Sequence, residues 1–300
     1  MKIVISGATG FIGKAFSEAL LKQGHSLTVL TRSPKQTQNP KLSFVVWNPD
    51  DEKTIVKEID GTDAVVNLAG EPIIGKRWSA NQKEKLLTSR VNATKIITHS
   101  IEKAKIKPKV FVNASAIGYY GSRGNEELTE NSHSGEDFLA KVCKAWEAHA
   151  VRAKDFGVRV VCLRIGVVLG KNGGALEKML PPFKLFAGGW LGNGNQWMSW
   201  IHIEDLVRLI SFCIENPKAE GPVNGVSPAP VTNKAFSMVL AQTLKRPCFM
   251  PVPEVALKLL LGEASIILLG SARVLPRKAR ELSFTFYHPD IRNALAAILR

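Results

Sequence analysis

The sequence predicts an α/β fold: a doubly wound parallel sheet flanked by helices, with a smaller C-terminal α+β substrate region. Three observations predict it. Short apolar runs of strand length alternate with helical stretches through the first 165 residues. Glycines cluster where the first run gives way to the first helix. The 300 residues are 45% hydrophobic, enough core for one large domain with an appendage.

Lys2 to Ser6 reads as a buried strand. Gly7, Gly10 and Gly13 follow at a spacing of three. Phe11, Ile12, Phe16, Leu20 and Leu21 then recur at helical period until Gly24, and Leu27 to Leu30 is the next strand. The result is a Rossmann-type β-α-β unit with its glycines at the strand-to-helix turn. A dinucleotide pyrophosphate is drawn to the unpaired N–H groups and positive dipole end of a helix, where no side chain blocks it. Gly7 permits the tight turn, Gly10 lets backbone approach the phosphates, and Gly13 lets the helix pack on the strand. Thr9 and the backbone of Phe11 and Ile12 complete the expected cradle.

The end of the second strand discriminates between nicotinamide cofactors. An acidic residue there would hold the ribose 2′-hydroxyl of NAD and repel a 2′-phosphate. This chain has Thr31-Arg32-Ser33. Arg32 can fork two donors onto a phosphate, and the flanking hydroxyls add to it, so NADP(H) is favoured.

Leu42 to Trp47 reads as the third strand, and Asn48 to Asp51 as a turn and helix start. The strand at 63–70 ends in Asn67-Leu68-Ala69-Gly70, small residues that let a ribose and pyrophosphate lie close to backbone. A helix is expected over 79–104, a strand over Lys109 to Ser115, a helix over 137–147 and a strand over Val158 to Ile165. Ala175 to Leu185 should be helical until Pro181 and Pro182 break it. Residues 187–200, rich in glycine and tryptophan, suit a mobile lid. Further on come a helix from His202, a strand over Gly221 to Val226 and a helix over Thr232 to Leu244. Val255 to Gly270 is expected as a packed helix, too short and too charged to span a bilayer.

Lys and Arg number 40 against 26 Asp and Glu, a formal charge of +14. The basic residues are spread thinly, with no aromatic-interleaved tract, so no nucleic-acid partner is expected. No membrane partner is expected either. Four scattered cysteines form no zinc spacing and no disulfide framework, and no histidine pair has metal-ligand spacing. With no leader ahead of the first strand, a cytoplasmic protein is expected, monomeric or homodimeric.

Taken together, the Gly-x-x-Gly-x-x-Gly turn, Asn67-Leu-Ala-Gly70, Ser89-Arg90, Gly118-Tyr-Tyr120, Trp146-Glu147, Arg164 to Gly170 and Trp200-Ile-His202 resemble the atypical and extended short-chain dehydrogenase/reductases. Val274-Leu-Pro276 and Phe284 to Pro289 add the C-terminal module of their nucleoside-diphosphate-sugar epimerase-like subgroup. The resemblance implies an NADP-binding domain over 1–165, with later strands returning from 166–230. Residues 166–300 would form mostly the substrate region, with the module at about 249–297. It implies that Lys85 and Arg90 reach the cofactor, that Val168 lies along the nicotinamide, and that Ser115 orients a substrate oxygen. It implies hydride transfer on a small molecule, a carbonyl compound or a nucleotide sugar. The alternative is an inactive NADP(H)-sensing protein linked to cell division.

One departure matters. The Tyr-x-x-x-Lys pair of these enzymes is absent: Leu139 stands at the tyrosine position and Cys143 at the lysine position. Tyr119 and Tyr120 are candidate proton donors, with Lys141 or Lys144 as polarising cation, or Cys143 as a thiol with lowered pKa.

Overall fold

A computed structural model of the chain describes residues 1–49, 55–171 and 173–299. The first half runs β1 (Lys2–Ser6), α1 (Phe11–Lys22), β2 (Ser26–Thr31), β3 (Leu42–Val46), α2 (Val56–Ile59), β4 (Ala64–Asn67), α3 (Ala80–Lys103), β5 (Val110–Ala116), β6 (Glu127–Leu128) and α4 (Phe138–Val151). It continues with β7 (Arg159–Ile165), β8 (Val167–Leu169), α5 (Gly174–Lys184), β9 (Trp197–Met198), β10 (Trp200–His202), α6 (Ile203–Glu215) and β11 (Gly221–Gly225). The tail holds β12 (Val231–Thr232), α7 (Asn233–Leu244), α8 (Glu254–Leu261), α9 (Ile266–Leu269), β13 (Arg273–Val274), α10 (Arg277–Glu281) and α11 (Ile291–Leu299).

Seven strands form one parallel sheet in the order β11-β7-β5-β4-β1-β2-β3. The order reverses between β1 and β4, which makes their carboxyl ends the switch point where open α/β sheets bind ligands. Both faces are covered, as near-continuous apolar strands require. Ile3 and Ile5 point to a core with Phe16 and Leu20 of α1 and Leu206 and Ile210 of α6. Val4 and Val65 point the other way, to Ile97 and Ile101 of α3. A further core joins Leu176 and Phe183 of α5, Trp200, Phe236 and Leu240 of α7, and Leu295 and Ile298 of α11.

Three expectations are corrected. The helix at 174–184 runs through Pro181 and Pro182. Both prolines lie in its last turns, and buried Leu176 and Phe183 hold the helix to the core beneath, so the lost N–H donors do not break it. Residues 187–200 are not a loose lid. Trp200 is fully buried and donates to the Ala229 carbonyl, Trp197 donates to Asn125, and Lys234 lies over Trp190. Val255 to Gly270 is not one packed helix. Gly262, at φ +60°, ends α8, and of α8 only Leu257 is buried. The helix start expected at Asp50 and Asp51 falls outside the described residues.

Candidate functional site

The turn after β1 is built for close approach. Gly7 has φ +72°, and a Cβ there would stand 2.5 Å from the Leu68 carbonyl. A Cβ on Gly13 would meet the Gly7 carbonyl. Gly10 caps α1 with no side-chain hydrogen bond, so the first turn of the helix keeps its positive end facing outward. Thr9 and Gly10 are exposed, and Phe11 and Ile12 are half-buried. Phe11's ring packs where side chains on Gly170, Gly173 or Gly174 would otherwise sit. That brings the segment after β8, the strand that holds buried Val168, next to the start of α1.

The neighbouring strand end is shaped by a buried polar cluster. Ser6 donates to Asn67 Oδ1 at 2.6 Å, and Asn67 Nδ2 donates to Thr94 at 3.0 Å and to Asn113 at 2.7 Å. The same Asn67 Oδ1 accepts from the Ala69 N–H at 3.2 Å, turning Leu68, Ala69 and Gly70 across the mouth of β1. Arg90 clamps this segment: it donates to the Glu71 carbonyl at 3.0 Å and the Leu86 carbonyl at 2.9 Å. Its guanidinium stacks over Trp146 at 5.1 Å, and Gly70 lies against it because a Cβ there would come within 3.1 Å. Thr31 spends its hydroxyl on a local turn, donating to the Ser33 carbonyl and accepting the Ser33 N–H. That turn leaves Arg32 exposed between them. Lys85 is exposed on α3.

At the carboxyl ends of β5, β7 and β11 the register sets Ser115 beside Arg164 and Arg164 beside Asn224. These residues form a closed network. Ser115 donates to Glu147 Oε1 at 2.6 Å. Arg164 grips both oxygens of Glu147 at 2.8 Å and donates to the Tyr120 hydroxyl at 3.0 Å. That hydroxyl in turn donates to Asn224 Oδ1 at 2.7 Å. Arg164 also stacks 3.4 Å from the centre of the Tyr119 ring. Tyr120 is fully buried, and burial pushes its phenol up to about 12. A phenol in that state keeps its proton and presents it to Asn224. Tyr119 is half-buried.

The substitute groups fare unevenly. Lys141 and Lys144 are exposed on α4, whereas Tyr119 and Tyr120 pack in an apolar cluster with Leu128, Val226 and Val274. Cys143 is buried, and desolvation, then the nearby Glu147 carboxylate, push its thiol up to about 11, the reverse of an activated thiol. Leu139 and Phe138 belong to an apolar cluster with Trp78, Leu261 and Ile267, so no acid stands at the missing tyrosine's place. Glu147, Arg164 and Asn224 carry the network and were not sequence-derived site candidates. The available signal was a lone arginine inside the apolar run Val160 to Ile165, which in a buried strand requires an acidic partner. His202 caps α6: its Nδ1 accepts the Glu204 N–H at 3.2 Å. The fold also brings His202, Glu204 and His288 within 4.8 Å, where sequence spacing showed no such group.

A glycine turn over an uncapped helix at the switch point of a doubly wound sheet defines a dinucleotide-binding protein of the short-chain reductase type. The chain belongs to the NAD dependent epimerase/dehydratase family, whose model matches residues 3–225, and a domain of unknown function, DUF1731, matches 252–298. It is 44% identical to the chloroplastic SDR39U1 homolog of Arabidopsis thaliana over all of this chain and 87% of that one. It is 38% identical to the epimerase family protein YfhF of Bacillus subtilis, over 100% and 98% of the two chains. The crystal structure of human SDR39U1 isoform 2 with NADPH superimposes with a TM-score of 0.90, at 33% identity over 99% of each chain. MoeE5 in complex with UDP-glucose and NAD, at 20% identity over 100% of this chain and 97% of that one, shares the fold with a TM-score of 0.79.

Proposed function

We propose that this chain binds NADP(H) and passes hydride between it and a carbonyl or alcohol carbon. The observation that carries the reading is the open end of α1 behind Gly7, Gly10 and Gly13, with Arg32 exposed at the end of β2. The crystallised NADPH complex of the human relative supports it. Thr9, Gly10 and the amides of Phe11, Ile12 and Gly13 would hold the diphosphate. Arg32 would take the 2′-phosphate, positioned by the Thr31 turn. Leu68, Ala69 and Gly70 would pass beneath the cofactor, with Arg90 behind them and Lys85 at the outer rim. Val168 would back the nicotinamide.

When bound, the nicotinamide supplies or accepts the hydride. The protein's part is to orient the substrate oxygen and hold its proton. Ser115 is the orienting group: with its proton on Glu147 its oxygen accepts from a substrate alcohol, and turned away from Glu147 the same hydroxyl donates to a substrate carbonyl. Tyr119 is the phenol left for proton transfer, because the Tyr120 hydroxyl is engaged by Arg164 and Asn224. The substrate would be a carbonyl compound or a nucleotide sugar; an epimerase would use the same hydride step in both directions.

A second reading is favoured by the closed network and by Leu139: a dinucleotide-sensing protein without turnover. Fluorescence titration with NADPH and NADH tests the binding, and tighter NADPH binding is expected. Equal or absent binding overturns the first reading entirely. A screen of carbonyl substrates for NADPH consumption then separates the two readings. Turnover that falls in Tyr119→Phe supports the enzyme, and tight binding with no turnover supports the sensor.

A further inference from the structure

The surface around α8 carries large apolar side chains that no described residue covers. Leu185 and Phe186 are 77% and 57% exposed, Phe249 and Met250 65% and 63%, and Val255 and Leu259 68% and 74%. The segments that bear them are joined. Leu191 bridges to Val252, and the Val252 N–H donates to the Trp190 carbonyl at 2.8 Å. Arg246 lies over the Phe186 ring at 4.4 Å. Val255 and Leu259 share one side of α8, four residues apart, while Leu257 anchors the other side.

Isolated exposed leucines need no explanation, but neighbouring apolar tips from three joined segments do. The charges beside them choose the occupant. Lys184, Lys245, Arg246 and Lys258 belong to the same segments, and the one carboxylate among them, Glu254, is held by Lys258 at 2.6 Å. The whole chain carries +14. A second copy would bring the same positive face against itself. An anionic surface would be attracted to the cations and would accept the apolar tips. We propose that this face rests on an anionic lipid surface. No helix among the described residues is long and apolar enough to cross a membrane, so the attachment is from one side.

The test is co-sedimentation of the full chain with vesicles of phosphatidylcholine alone or mixed with phosphatidylglycerol. Binding to the mixed vesicles is expected, weakened about tenfold or more on neutral ones, and released by salt. Phe249→Ser with Leu259→Ser, and separately Lys245→Glu with Arg246→Glu, should each lower binding about tenfold or more, with melting temperature and NADPH titration unchanged. As a second readout, Leu259→Cys carrying an environment-sensitive dye should shift to the blue on anionic vesicles. No binding, binding indifferent to both variants, or no dye shift overturns the proposal. So does a concentration-dependent dimer that the serine variants dissolve without any vesicle capture. NADPH titration reads a separate site, so neither result decides the other.

Discussion

At the carboxyl end of β1 the chain leaves helix amides without a side-chain cap, whereas at the ends of β5, β7 and β11 every named polar group finds a partner inside the protein. Both regions lie on the same edge of one sheet. In the first, satisfaction of hydrogen-bonding groups is left to something that arrives. In the second, Arg164, Glu147, Ser115, Tyr120 and Asn224 satisfy one another. The difference separates two tasks: an open turn binds a ligand with little rearrangement, while a closed network fixes the shape of the neighbouring wall. Leu139, at the position where the sequence resemblance expects the proton donor, packs instead among Trp78, Leu261 and Ile267.

The largest way to break the contrast is to open the closed side. Arg164→Ala leaves the Glu147 carboxylate buried and unpaired, and should cost about 3–5 kcal/mol of stability in denaturant unfolding. Arg164→Met with Glu147→Leu should recover most of that loss, because no charge is then stranded. A small effect of Arg164→Ala would mean the network does not hold the wall. The counterpart closes the open side. Beyond its chain neighbours, a Cβ on Gly10 would come no closer than 3.4 Å to the protein, at the Gly7 carbonyl, so Gly10→Ala should leave the melting temperature nearly unchanged. The same methyl would stand in the path of the diphosphate and should weaken NADPH binding ten- to about a hundredfold. Arg32→Glu sharpens the assignment within the open side. It should lower the preference for NADPH over NADH about ten- to thirtyfold in titration, and unchanged selectivity would remove Arg32 from the 2′-phosphate.

The same contrast explains what could be read from the chain. Strand runs and the glycine turn are local patterns, so β1, α1 and β2 stand close to where periodicity puts them. Thr31 lies at the end of β2, as the apolar pattern places it, but its role as the closer of a turn is not legible, because its partner depends on backbone direction. Glu147, Arg164 and Asn224 come from three elements more than fifteen residues apart: the sheet register sets Arg164 beside Asn224, and the packing of α4 on the sheet brings Glu147 to Arg164. Cys143 and Lys144 sit side by side in sequence, yet one faces the core and the other solvent, which the missing family motif could not decide. The exposed side of α8 is as apolar as a core face, and hydropathy alone does not say whether a partner covers a helix.

The smallest effect concerns His202, where the C-terminal module meets α6. Burial first, then the neighbouring His288, lower its pKa from an ordinary 6.5 to about 4, against the opposing pull of Asp205 and Glu204. The cap bond acts in the same direction, since a protonated ring has no lone pair at Nδ1 to accept the Glu204 N–H. The unfolded chain therefore binds this proton at a higher pH than the folded one. The stabilising contribution is fully present above about pH 6.5 and is lost as pH falls towards 4. His202→Asn keeps a capping acceptor but cannot titrate. Between those pH values it should flatten the decline in unfolding free energy by about 1–2 kcal/mol relative to the parent chain. The contact of His288 with Glu204 at 2.8 Å is common to both proteins, so only the difference between the two profiles is diagnostic. Identical profiles would show that the ring is reached by solvent and that the module does not seal this junction.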